Sequence, residues 1–589
     1  MHPAFIPTFF ATTFLLLIII FSSEKVEYKL LFVILHSILV HALMVIIFPA
    51  GNLGVQQMIL GRTRLVFDNV VSHGYGWTVD TILLKIYALF RGVNLQTAFS
   101  VLLARMFGVD VYWSHLLLVP LLWGVFAPVM AFMVSKELTG NENISVFSSL
   151  IVSLFPTNIL WGAVSIPNSL SYLFFFCLVY FLLKYIRSNG TKELLLAITF
   201  FFASFLSHYL AGTIALSLFL LAIGVKTYEK GKDNSRLNAK LSLLLAFIFC
   251  VSILPFALVY RGLFYPWENT RFSLGKFYER PPTEMALSIL IGTYFDFLSR
   301  GSYIAPLIFG IASMLGLIGM IYVLRASVKK TPERSVDLRV LFLFLGFLMV
   351  VVDDRIVKYF MFDVPFVEFE RLWLFRDFFV VPFMALVIAG AIREIRRFLN
   401  KLSKNIVSFL RKTSSFFQRP HLVRGADLGT ILPYILVFTI MSGWMTASIY
   451  VGYPTWAPLQ TTSYELEAVK YIEATTNERY IVICDLWMTY PGGMIVGINN
   501  PQAYYFSSGE PHGVALFIEM KNNPTNETMK EAMKTNNATT AYFIIEKPRV
   551  GTEEYNLIIR KAQQNNVQTY KAFHYEGEEK LRIFYHVKQ

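Results

Sequence analysis

About twelve apolar runs, each near the length of a bilayer crossing, constrain this chain more than anything else in it. A helix needs roughly 20 apolar residues to span the hydrocarbon layer. The runs fall at 4–22, 28–50, 112–135, 145–160, 168–186, 192–207, 209–226, 241–261, 303–325, 338–352, 375–394 and 429–450. The first has no basic segment ahead of it and a second follows at once, so it reads as a span and not as a cleaved signal. Only 15% of the residues are charged, against roughly 25% in soluble domains, which excludes an ordinary soluble enzyme. Three cysteines exclude a disulfide framework, and no Cys/His cluster has structural-zinc spacing. The sequence predicts a polytopic α-helical membrane protein.

Charge then orients it. One set of loops carries Lys25 and Lys29; Lys136; Lys184, Arg187 and Lys192; the five basic residues from Lys226 to Lys240; the group from Arg325 to Arg339; and nine between Arg393 and Arg424. The alternate loops are almost uncharged (161–167, 208–209) or long and mixed (51–111, 261–302, 353–374). The basic set is expected in the cytoplasm and the long loops outside. Twelve spans put both termini outside. From Val451 onward the net charge is −2, so the remaining 450 residues carry +15 and the high pI reflects membrane loops, not nucleic-acid binding. Residues 1–452 form the expected membrane domain. Residues 453–589 form an extracytoplasmic mixed α/β domain, with helices at 463–473 and 553–563, strands at 479–485 and 540–546, and a closing hairpin over 567–587. Two sequons, at Asn526 and Asn537, lie in it. The basic, Ser-containing stretch 393–428 reads as an amphipathic helix on anionic lipid.

The long outer loops hold the residues that could do chemistry. Loop 51–111 contains Arg62, Arg64, Asp68, Asn69, His73, Trp77 and Asp80; such a length is usually functional. Loop 261–302 contributes Trp267, Glu268 and Arg271, and loop 353–376 contributes Asp353, Asp354, Arg371 and Arg376. A carboxylate can take a proton from a hydroxyl, an arginine fork can hold a phosphate with two bonds, and aromatic faces can stack on a sugar. Any one of these residues taken alone reads more simply as a solvated loop charge or a salt bridge. His208, in the Ser207-His-Tyr209 turn, reads more simply as a hydrogen-bonded turn histidine.

A family likeness appears in three short motifs: Ala104-Arg-Met-Phe-Gly-Val-Asp110, Ser135-Lys-Glu-Leu-Thr-Gly140, and Leu154-Phe-Pro-Thr157 followed by Ile166-Pro-Asn-Ser-Leu170. With the loop order, they make residues 28–450 resemble the type C membrane glycosyltransferases (GT-C). The resemblance implies a multi-span fold, an acidic residue in the first long loop and a polyprenyl- or dolichyl-phosphate sugar donor, with inversion at the anomeric carbon. Carried over, Asp68 is the catalytic base, and Arg371 and Arg376 hold the donor phosphate. Asn69, His73, Trp77, Trp267 and His208 line the substrate. The family often shows two acids together where this chain has Asp68-Asn69, so metal dependence stays open. A divalent ion would be Mg²⁺ or Mn²⁺, with Asp353 and Asp354 as ligands. Cys484-Asp-Leu-Trp-Met-Thr-Tyr-Pro-Gly-Gly493 faintly resembles the Trp-Trp-Asp-Tyr-Gly motif of oligosaccharyltransferase catalytic subunits but lacks its paired tryptophans; the simpler reading is a strand leaving into a Pro-Gly-Gly turn.

The expected function is transfer of a sugar from a lipid-phosphate carrier to a hydroxyl, glycan, lipid or protein acceptor at the outer face of an archaeal or bacterial plasma membrane. The alternatives are a lipid or solute transporter or flippase, an oligosaccharyltransferase-like enzyme, and a non-catalytic scaffold. A transporter would show paired repeats, or charges and helix breaks at mid-span.

Overall fold

The computed structural model describes residues 5–22, 24–47, 95–231, 236–264, 271–272, 314–326, 337–362, 367–413, short pieces between 435 and 442, 461–496, 503–506 and 511–588. They group into two compact units, residues 1–44 with 119–453 and residues 45–118 with 454–589.

The first unit is helical. Its elements are α1 (Phe5–Ile20), α2 (Val26–Ile47), and, after α3 (Leu95–Phe107) of the other unit, α4 (Val111–Thr139), α5 (Glu142–Leu154), α6 (Pro156–Gly162), α7 (Pro167–Ser188), α8 (Thr191–Ser207), α9 (Tyr209–Gly231) and α10 (Arg236–Phe264). A helix at Met314–Ala326 (α11), α12 (Leu338–Phe360) and α13 (Val367–Thr413) follow. Among the described residues, five helices are long and apolar enough to cross a membrane, within α4, α7, α9, α10 and α13. The sequence predicts about twelve.

The expected span at 303–325 lies partly, and that at 429–450 largely, outside the described residues, and three of the other differences have particular causes. The expected span 145–160 is two helices, because Pro156 has no N–H to give the Val152 carbonyl. Asn158 Nδ2 supplies that bond instead, at 2.8 Å. The span expected at 338–352 runs on to Phe360, carrying Asp353-Asp354-Arg355 inside a helix where a loop was expected. The stretch after Arg393 continues α13 in one 47-residue helix, not as a separate surface helix.

Charges gather at one end of this bundle. Glu137, at the end of α4, accepts from Arg187 Nη1 at 2.9 Å and from Arg339 Nη1 at 3.3 Å. Arg339 also forks onto Asp337. Lys29 Nζ donates to the Ile20 and Ser22 carbonyls and to Asn143 Oδ1, tying the α1–α2 turn to α5. Four of the six basic segments, those of Lys29, Lys136, Arg187 and Arg339, are tied together by these contacts.

In the second unit, α3 turns into α4 through Gly108 in the left-handed region (φ +64°), and Val101, Ala104 and Val111 pack across the corner. The first unit also holds two short strands, β1 (Arg271–Phe272) and β2 (Met361–Phe362). The elements of the C-terminal part are α14 (Ser463–Thr475), β3 (Tyr480–Ile483), α15 (Leu486–Ile495), β4 (Ala503–Phe506), α16 (Pro511–Asn522), α17 (Asn526–Asn536), β5 (Thr540–Glu546), α18 (Lys547–Val550), α19 (Thr552–Gln564), β6 (Gln568–Tyr575) and β7 (Glu578–Val587). Its strands build a five-stranded sheet in the order β4-β3-β5-β7-β6. Strands β3, β4 and β5 are parallel, and the closing hairpin is antiparallel. Alternate residues face opposite layers: Ile481, Ile483, Phe543 and Ile545 join one core, and Tyr480, Val482, Tyr542 and Ile544 the other. The expected helices and strands here are present. The Pro-Gly-Gly turn is not: Asp485 caps α15 by accepting from Met488 N at 3.0 Å, and Pro491-Gly492-Gly493 lies within that helix.

Candidate functional site

The bundle also holds a buried polar group. Arg376 and Asp377 lie near the start of α13 in an otherwise apolar run, and their side chains are 6% and 0% exposed. Arg376 folds back to give its Nε and Nη2 to Asp377 Oδ1, at 2.8 and 2.7 Å. Thr157 Oγ1, on the short helix α6, donates to Asp377 Oδ2 at 2.9 Å. The broken helix is thus fastened to α13 at its break.

Aromatic packing sets the rotation of α13 that allows this. Phe378 stacks on Phe176 of α7 at 3.8 Å between centroids, and Phe375 meets Phe175 at 4.5 Å and Tyr172 at 4.8 Å, both edge-on. Behind them Trp123 Nε1 donates to the Ser169 carbonyl at 2.7 Å. His41 of α2, also buried, lies between Gly162 and Trp123, its Nδ1 bonded to the Ser37 carbonyl at 2.7 Å.

Helices α12 and α13 pack closely at Gly346, where an added Cβ would come within 3.1 Å of the Phe379 ring. Asp353 lies about 10 Å further along α12, at 1.5 Å per residue. It is fully buried, and neither carboxylate oxygen has a hydrogen-bond partner among the described residues. Beyond it, the two-residue strand β1 (Arg271–Phe272) pairs antiparallel with β2 (Met361–Phe362), Arg271 opposite Phe362. The backbones of the two later candidate loops therefore meet at the α12–α13 hairpin.

The candidates separate as follows. Arg376 is in the site, but buried and paired within the fold instead of standing in an outer loop. Arg371 belongs to the first turns of the same helix, its side chain outside the described residues. His208 ends α8 as expected of a turn histidine: Leu210 N–H donates to its Nδ1 at 3.3 Å, and Tyr209 lies beside the ring. Asp68, Asn69, His73, Trp77 and Trp267 lie outside the described residues. Asp353 and Asp354 are successive residues of one helix, which directs their side chains about 100° apart. Among the described residues, no group of three or more potential ligands is arranged to hold a metal ion. Sequence reading missed Asp377 and the part played by Thr157; an Arg-Asp dipeptide within an apolar run was the available signal, since buried charges need partners.

Residues 95–256 match the family model described as dolichyl-phosphate-mannose-protein mannosyltransferase. That stretch runs from α3 into α10 and includes the broken helix and Thr157, but not Arg376 or Asp377. The match supports the type C glycosyltransferase resemblance read from residues 104–170. No curated protein sequence is similar to the chain. Among solved structures, it is similar to ArnT from Cupriavidus metallidurans bound to undecaprenyl phosphate, at 13% identity over 83% of this chain and 87% of that one, with a TM-score of 0.42. At that score no residue correspondences follow. The apolar helices and the family match together make this a multi-pass membrane protein similar to glycosyltransferases that use lipid-linked donors.

Proposed function

We propose that the chain is an inverting membrane glycosyltransferase that moves a sugar from a polyprenyl- or dolichyl-phosphate carrier to a hydroxyl acceptor at the outer face. The observation that carries the reading is the mannosyltransferase-family match over 95–256, the stretch that holds the broken helix and Thr157. Asp68 is the base that takes the acceptor proton as the glycosidic bond forms, with Asn69 orienting the acceptor. His73, Trp77, Trp267 and His208 line the sugar. Arg371 grips the donor phosphate, and the Arg376–Asp377–Thr157 group fixes the helix that presents it. The test is sugar transfer from a radiolabelled lipid-phosphate donor by the purified chain in nanodiscs. Transfer to a hydroxyl acceptor is expected, and donor binding without transfer under any acceptor would sink the proposal.

One observation favours a transporter as the second reading. The segment 142–162 is discontinuous within the bundle, as the binding helices of many transporters are. Here, however, the break is closed: Asn158 satisfies the freed carbonyl and Asp377 takes Thr157. Lipid scrambling by the reconstituted chain without sugar transfer would favour this second reading.

A further inference from the structure

In the C-terminal unit, three acidic side chains and one arginine meet where the parallel strands β3 and β5 end. Glu465 stands in the first turn of α14, Asp485 follows β3, Glu546 closes β5 and Arg549 lies in α18. The chain leaves β3 toward β4 on one side and leaves β5 toward the β6–β7 hairpin on the other, so this corner is a switch point of the sheet. The Glu465 and Glu546 side chains are each 1% exposed. Glu465 is well supplied with donors: the Thr462 N–H binds one oxygen within a capping box, and Arg549 Nη2 binds the other at 3.3 Å. Asp485 accepts from Met488 N.

Glu546 differs. Among the described residues, no N–H or O–H group donates to either of its oxygens, and Arg549 Nε stands off at 3.8 Å. Its carboxyl and that of Glu465 face the same guanidinium, and the closer approach of Arg549 goes to Glu465. An ionised carboxylate has no donor to offer another, so Glu546 is left without one. An ionised, donorless carboxylate buried to this degree would be far too costly.

We propose that Glu546 carries a proton in the folded unit, and that this proton is a latch holding α14 and α18 to the end of β5, so that this corner of the C-terminal unit loosens as pH rises. Burial, then the carboxylates of Glu465 and Asp485, push the Glu546 carboxyl well above its ordinary range, against the pull of Arg549. A raised carboxyl gives stability that is complete below the ordinary carboxylate range and is lost as pH climbs through the raised value. The other titratable neighbours, Tyr464 on α14 and Cys484 at the end of β3, are themselves pushed upward by burial and stay neutral meanwhile. Across the sheet Glu546 faces the apolar Leu581 of β7. The latch operates whichever side of the membrane the unit faces.

Amide hydrogen exchange of the full chain in nanodiscs, followed by mass spectrometry over a pH series and corrected for intrinsic rates, tests it. Protection of peptides covering 463–475 and 540–550 should fall by about tenfold per pH unit once the latch titrates, the slope of one released proton. Glu546→Gln carries a permanent donor toward Glu465 and should keep full protection throughout. Wild-type protection that ignores pH, or an equal fall in Glu546→Gln, would overturn the proposal. Should that variant fail to fold, infrared spectra of wild-type protein with ¹³C-labelled glutamate decide: a protonated buried carboxyl band that fades as pH rises supports the latch, and its absence refutes it.

Discussion

Asp377 is the residue on which the bundle's polar group turns. It receives Arg376 and Thr157 at once, in a place with no exposed surface. Removing one partner of a buried pair strands the other charge, so Asp377→Ala should cost about 3–5 kcal/mol. Thr157→Val deletes one bond to a charged acceptor and should cost about 1.5–3 kcal/mol. Denaturant titration of the detergent-solubilised protein measures both; a Thr157→Val loss equal to that of Asp377→Ala would contradict the ranking. For the proposed chemistry, Asp68→Asn keeps the shape and removes the basicity, so turnover should drop about 10²–10⁴-fold with donor binding retained. Asp80, the competing acid, is expected from the sequence to open the apolar helical run 81–90 as its N-cap, so Asp80→Asn should be nearly neutral, because asparagine also caps a helix. The reverse pattern would move the base to Asp80. Arg371→Lys should weaken donor binding by about 2 kcal/mol, since an ammonium cannot make the two-bond grip. Normal donor binding in that variant would move the phosphate site elsewhere, Arg62, Arg64 and Arg271 being the next arginines to test.

At the level of elements, the break between α5 and α6 is built from sequence-local parts. Pro156 withholds an N–H, and Asn158 returns one to the orphaned Val152 carbonyl. Asn158→Leu should therefore cost about 1–3 kcal/mol, the penalty for an unsatisfied buried acceptor. Pro156→Ala restores a backbone donor at that carbonyl and should recover part of the loss. A double-mutant cycle on thermal unfolding should give a coupling of about 0.5–3 kcal/mol, whereas strict additivity would mean that the two residues act on different carbonyls. Elsewhere in the bundle, Glu137 joins α4, α7 and α12 through Arg187 and Arg339. The Ser135–Gly140 motif that contributes to the family resemblance is thus, at Glu137, a strut and not a part of the polar group around Asp377.

Across the whole molecule, the alternation of basic and charge-poor loops makes the location of the C-terminus a decisive measurement. A reporter fused after Gln589 should be extracytoplasmic, and a cytoplasmic signal would invert the proposed face of the site. The C-terminal unit should also respond to pH on both sides. Glu579 accepts from Arg582 at 2.6 and 2.7 Å and from Tyr555 at 2.8 Å, and these partners hold its carboxyl below the ordinary range in spite of partial burial. A lowered carboxyl gives stability that is present above the ordinary carboxylate range and lost as pH falls through the lowered value. Protection of the β6–β7 hairpin should accordingly fall on acidification, while the corner around Glu546 loosens in the alkaline direction. A hairpin indifferent to acid would show that the Glu579 pair contributes nothing.

Much of this was legible in the chain alone, because membrane segments and paired strands obey local rules. The apolar runs locate α2, α4, α7, α8, α9 and α10 within a few residues, since hydrocarbon thickness sets their length. Alternating side chains locate β5 and the β6–β7 hairpin. Arg376 was visible as a charge at the edge of an apolar run. Other features depended on partners distant in sequence. Thr157 and Asp377 are 220 positions apart, and no local pattern pairs them. Asp353 looked like a loop carboxylate because charge usually ends a span; neighbouring helices instead let α12 continue and bury it. The proton on Glu546 is equally invisible in the sequence, where Glu465 and Glu546 both read as ordinary surface acids. Only the convergence of α14, β5 and α18 removes the water that would otherwise have solvated both charges.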